Sequence, residues 1–128
     1  MAKDNITTEK HFDVYRKEVL RLLGVFGLKH RHIEFEHTEF EQDDSGTSLA
    51  ACEYDRDGQW VSFMLSKNCG RHKITTEVLR WCAYHEVLHY LLSDFRLFAE
   101  RHELPLADMR QEEHRIINRI LNATFGKI

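Results

Sequence analysis

A chain of 128 residues has room for one domain with a real core and little for a second. With 42% hydrophobic and 30% charged residues, it has the balance of a globular protein rather than a disordered or fibrous one. A formal charge of −3 provides no basic footprint for nucleic acid or an anionic membrane, and no apolar run reaches the roughly 18 residues a membrane span needs. Met1 to Lys10 is polar and unlike a signal peptide, and Cys52, Cys69 and Cys82 lack framework spacing, so free thiols in a reducing cytoplasm are expected.

The first helix is expected to start near Thr7 or Thr8, either of which can cap it. Phe12, Tyr15, Val19, Leu22, Leu23 and Phe26 then fall on one helical stripe, which Gly24 and Gly27 bring to an end. From His32 to His37 the period switches to two. Ile33 and Phe35 share one face and Glu34 and Glu36 the other, as in a half-buried strand. A polar loop over 42–46 leads to two further runs, Ser48 to Tyr54 and Gln59 to Ser66, which flank Asp55-Arg56-Asp57-Gly58 and predict a hairpin. The second arm is apolar on both faces, so it belongs at the centre of a sheet or under a helix. Three antiparallel strands are expected.

Gly70 marks a turn, and Cys69 and His72 form a lone C-x-x-H that lacks the second pair of a structural metal site. The pattern is helical again from about Thr75 to Glu100, with Thr75 or Thr76 as cap and Glu77 in the positive first turn. Leu104-Pro105 interrupts it. Asp108 followed by Gln111 resembles a capping box that opens a last helix running towards Phe125, with Gly126 beyond. The order predicts an α+β fold in one domain over 1–128: a helix, a small three-stranded antiparallel sheet, a long helix and a C-terminal helix.

The chemistry concentrates in the long helix, where His85-Glu86-Val87-Leu88-His89 reads H-E-x-x-H. Residues four apart lie one turn apart on the same face, so both imidazoles can aim at one point. Glu86 sits about 100° round the helix, near enough to reach a water at that point without being a ligand. Val78, Trp81, Cys82, Leu88 and Leu92 share the face of the two histidines. Two core histidines there would each need a polar partner among apolar neighbours, and one shared metal serves both. Zn2+ is the expected cofactor, with Glu86 as the catalytic base.

Zinc needs a third protein ligand, and His102, Glu112, Glu113 and His114 follow downstream. Leu92 and Phe95 stand where a metzincin would carry glycine and histidine, and His102 precedes Glu103 rather than the glycine typical of SprT-like chains. In the last helix Leu106, Met109, Ile116, Ile117, Ile120, Leu121 and Thr124 define an inner face. Glu113 falls at its centre, with Glu112 and His114 to either side. A carboxylate centred on a core-facing stripe is costly unless paired or metal-bound, so Glu113 is the expected third metal ligand beside His85 and His89, with His114 its rival. His30, His32 and His37 read as surface or strand residues, and Trp60 and Trp81 as core.

On His85, Glu86, His89 and Glu113, and on the order of elements from about residue 32 to 124, the chain resembles minimal, single-domain gluzincins. It is also similar to small H-E-x-x-H proteins of bacteriophage and bacterial genomes, in which Glu-Glu-His opens an aliphatic/Arg helix. The resemblance implies a zinc metallopeptidase acting on a peptide or protein substrate, which the edge of the sheet would receive. It departs at Ile117, where gluzincins often carry an acid that braces a zinc histidine; Asn118 offers an amide instead. His114, Arg110 and Tyr84 border the site as candidates to stabilise an oxyanion. The competing reading is a non-enzymatic zinc-binding module, structural or partner-binding, which a fourth ligand from His114 or Cys82 would favour.

Overall fold

The computed structural model describes residues 6–28, 32–40, 49–55, 59–70, 72–93, 96 and 106–124. His30, the expected polar loop at 42–46, the hairpin tip at 56–58, and the stretch 97–105 with His102 and Pro105 lie outside these, as do Phe125 and Gly126. Helix α1 runs Glu9–Val25. Thr8 caps it: His11 N–H donates to Thr8 Oγ1 (3.3 Å), while Thr8 N–H donates back to His11 Nδ1 (3.0 Å). Thr7 serves elsewhere, donating its hydroxyl to Ser66 O (2.7 Å) and so accepting from His37 Nε2 (2.7 Å). The stripe on α1 buries Tyr15, Val19, Leu22 and Leu23. At Gly27, φ is 72°, a conformation glycine adopts at no steric cost as the chain leaves the helix.

Strands β1 (His32–Thr38), β2 (Ala50–Tyr54) and β3 (Trp60–Ser66) form one sheet in the order β1-β3-β2. β2 and β3 pair antiparallel, with Cys52 opposite Phe63, as a hairpin requires. β1 pairs parallel with β3, Phe35 opposite Phe63, so the sheet is mixed where an all-antiparallel one was expected. The cause lies in β3. Residues 61–66 are buried without alternation, which only a central, doubly covered strand satisfies. Successive strands reverse direction, so putting the third in the middle sets it alongside the first in the same sense. The exposed/half-buried alternation of β1 suits an edge.

Helix α2 spans Thr76–Leu91, capped by Thr75, whose side chain accepts from Val78 N (3.1 Å). It closes at Leu92 rather than running on as one long helix to Glu100. Helical backbone resumes at Ser93, and Arg96 N–H donates to Leu92 O (3.2 Å). Around Gly70 (φ 57°) the expected turn is present, with His72 N–H donating to Cys69 O (3.1 Å). Helix α3 spans Leu106–Thr124, beginning two residues before the Asp108 expected to cap it.

α2 is the spine. Leu79, Cys82, Ala83, Val87 and Tyr90 pack with α1 and with Val61, Phe63 and Leu65 of β3, each buried aliphatic side chain contributing roughly 1.5–3 kcal/mol of transfer free energy. Leu88, on another side, joins Ile117 and Leu121 of α3 in a second cluster. A helix covered by α1 and the sheet on one flank and by α3 on another has no wide solvent face, which explains why it is apolar nearly all round. Among the described residues no helix is long and apolar enough to cross a membrane.

Candidate metal centre

His85 and His89 sit in the last two turns of α2, facing α3. Their Nε2 atoms are 3.1 Å apart. Two ligands held about 2.0–2.1 Å from a tetrahedral zinc lie roughly 3.3 Å from each other, so the spacing matches the edge of such a site. Trp81, one turn earlier, packs against His85 with ring centroids 5.0 Å apart. α3 contributes His114, whose ring lies 4.8 Å from that of His89 and 6.0 Å from that of His85. One donor atom from each of His85, His89 and His114 falls within 4.8 Å of the others.

Proton positions follow from the partners. His114 Nδ1 donates to the Arg110 carbonyl oxygen (2.9 Å), which leaves Nε2 with a bare lone pair. His89 Nδ1 faces Glu113 Oε2 at 3.4 Å, long for a hydrogen bond but within ion-pair reach, and this too favours a bare Nε2. With His89 Nε2 bare, the 3.1 Å contact holds without a cation only if His85 Nε2 carries the proton. His85 Nδ1 is buried and without a hydrogen-bond partner among the described residues, so it is left unpaired in either tautomer. A cation between the rings lets every Nε2 present its lone pair, and the donor set fits one.

Electrostatics point the same way. Burial, followed by the neighbouring His89 and His114, lowers the pKa of His85 to about 4, so it is neutral at pH 7, the form that ligates. Glu86 is 9% exposed. Burial raises its pKa to about 7, opposed by His89 and by the hydrogen bond from Cys52 and aided by Glu113.

The structure brings His85, Glu86, His89 and His114 to one cavity of about 330 Å³. Glu113 is 2% exposed and centred on the inner face of α3, as its spacing predicts. It stands behind His89, against the ring nitrogen turned away from His85, and its Oε1 has no hydrogen-bond partner among the described residues. Cys82 lies in the core and outside the donor group. Arg110 contributes its backbone to His114, and Tyr84 packs towards Phe26 (6.4 Å) rather than lining the cavity.

The remaining lining went unnoticed in the sequence: Ala50, Ala51, Cys52 and Tyr54 of β2, and Arg96. Cys52 Sγ reaches the backbone oxygen of Glu86 (3.5 Å), tying the strand to the site helix. The β2 residues carried no signal, because nothing in an apolar strand says which edge it will occupy. Arg96 carried one, since it falls seven residues after His89 and two helical turns on return to the same face. Comparison with protein-family models, with curated proteins and with solved structures finds no match for this chain.

Proposed function

We propose that the domain is a zinc-dependent hydrolase, a small gluzincin-like metallopeptidase, with zinc held by His85, His89 and His114 and with Glu86 as the catalytic base. The observation that carries this reading is the convergence of three imidazole donors within 4.8 Å on a cavity that Glu86 also lines. Glu113, expected as the third ligand, is assigned instead to orienting His89 through Nδ1. Three neutral nitrogen donors suit zinc and leave a position open, whereas a structural module needs four protein ligands; among the described residues the donor group stops at three.

When bound, zinc supplies a Lewis acid that polarises a scissile carbonyl and lowers the pKa of a water to about 7. Glu86 takes a proton from the attacking water and delivers it to the leaving amine nitrogen. Its carboxyl is poised for both, because burial already holds its affinity for protons near neutrality. β2 is bonded to β3 on one side and borders the cavity, so its other edge offers backbone groups to an extended peptide by strand addition.

The test combines zinc titration with hydrolysis of a quenched-fluorescent peptide mixture. One zinc per chain is expected, with His114→Ala losing affinity by orders of magnitude. Glu86→Gln retains the metal and loses hydrolysis by roughly 10²–10⁴-fold. A chain that binds no zinc, or a Glu86→Gln variant that still cleaves, overturns the proposal.

A further inference from the structure

An imidazole that ligates through Nε2 is oriented by whatever holds the rest of its ring, and the three rings of the candidate centre are held differently. His89 Nδ1 has Glu113 Oε2 at 3.4 Å, and His114 Nδ1 donates to Arg110 O (2.9 Å). His85 Nδ1 is buried and has no hydrogen-bond partner among the described residues. What His85 has beside it is an indole. Trp81 stands four residues earlier, one turn back on the same face of α2. Its ring centroid is 5.0 Å from that of His85, with the planes 41° apart. That separation lies inside the range for attractive aromatic pairs.

The indole is itself well anchored. Trp81 packs against the cluster that joins α1, α2 and the sheet, and also against the Leu88–Ile117–Leu121 cluster. A side chain held between two close-packed clusters has little freedom, and a ring in contact with it is restrained in turn. Electronics add to the packing. An imidazole bound to a cation carries part of the cation's charge, and indole attracts positive charge more strongly than the other aromatic side chains. An aliphatic side chain could fill the same space but offers no such attraction.

We infer that Trp81 is the positioning residue of His85, doing by ring packing what a hydrogen-bonding partner does for His89 and His114. The inference rests on the metal-site reading given above. It makes His85 the ligand whose orientation depends on an apolar neighbour, and it lets a residue outside the cavity lining tune the affinity for the metal.

The experiment takes the full chain as the parent, as Trp81→Phe and as Trp81→Leu, and applies competitive zinc titration and NMR relaxation of the histidine rings, the latter with and without Zn2+. Trp81→Leu should lose zinc affinity roughly tenfold, the low end of the range for losing an outer partner of a ligand. Trp81→Phe, which keeps an aromatic ring, should retain most of the affinity. In the relaxation data Trp81→Leu should loosen the ring of His85 and leave that of His114 as in the parent. A variant that had only weakened the fold would loosen both.

Unchanged zinc affinity in Trp81→Leu, equal loosening of His85 and His114, or a Trp81→Phe variant as impaired as Trp81→Leu overturns the inference. In the parent, cross-relaxation between the Trp81 and His85 ring protons should persist when Zn2+ is added. Its loss would overturn the inference even if Trp81→Leu fails to fold. A chain that takes up no zinc counts against the metal reading alone, because the comparison of His85 with His114 in zinc-free protein still judges Trp81.

Discussion

Glu113 is the residue on which sequence pattern and tertiary contact say different things. Its position on the core stripe of α3 was legible, since only 2% of it is exposed. Its partner was not, because a carboxylate at the centre of a helix face can serve as a ligand or stand behind one, depending on where the neighbouring helix lies. At 3.4 Å from His89 Nδ1 it stands behind that ring, while Ile117, one turn further on, is wholly buried beside Leu88. Glu113→Gln is expected to weaken zinc binding about 10–100-fold in competition with a chelator, and unchanged affinity would remove Glu113 from this role.

His85 and Glu86 make a second prediction, for the metal-free protein. His85 titrates near 4 when folded against 6.5 unfolded, so between those values the unfolded chain binds the extra proton and stability rises with pH. Glu86 titrates near 7 folded against 4.5 unfolded, so there the folded chain binds the extra proton and stability falls with pH. The two slopes oppose each other from about 4.5 to 6.5. Thermal melts of metal-free Glu86→Gln should climb with pH across that window while the parent stays flatter; identical profiles would contradict the pairing.

At the scale of elements, caps and stripes were readable because they depend on residues three or four apart. Thr8 caps α1 through reciprocal bonds with His11, and Thr8→Ala should cost about 1 kcal/mol in urea denaturation. Strand order was less readable. The unbroken apolar character of β3 placed it at the centre, but the consequence, a parallel partner in β1, needs all three strands at once. The order is testable by truncation. Phe63→Ala, at a fully buried central position, should cost about 3–5 kcal/mol, and Phe35→Ala, half-buried on the edge strand, clearly less. Equal losses would argue for a different order. The end of α2 at Leu92 was missed because the helical pattern resumes at Ser93, so periodicity alone runs across the interruption.

For the whole molecule, the candidate centre lies where α2, α3 and β2 meet, so a bound ion would add a link between two helices that already touch through the Leu88–Ile117–Leu121 cluster and through His89, which meets Glu113 and His114. Zinc at 100 times its dissociation constant should stabilise the fold by about 2.7 kcal/mol, seen as a rise in melting temperature that EDTA reverses and His114→Ala suppresses. An unchanged melting temperature at saturating zinc would contradict the site. What the sequence determined by itself is what repeats locally: the helical stripes, the alternating strand, the one-turn spacing of His85 and His89, and the inward position of Glu113. Only the tertiary structure decided the mixed sheet, the β2 wall of the cavity, and that His114 rather than its neighbour turns its ring to the histidine pair. Adjacent residues on a helix point about 100° apart, and which of them meets a partner is set by how the helix is placed, a quantity no periodicity along one chain records.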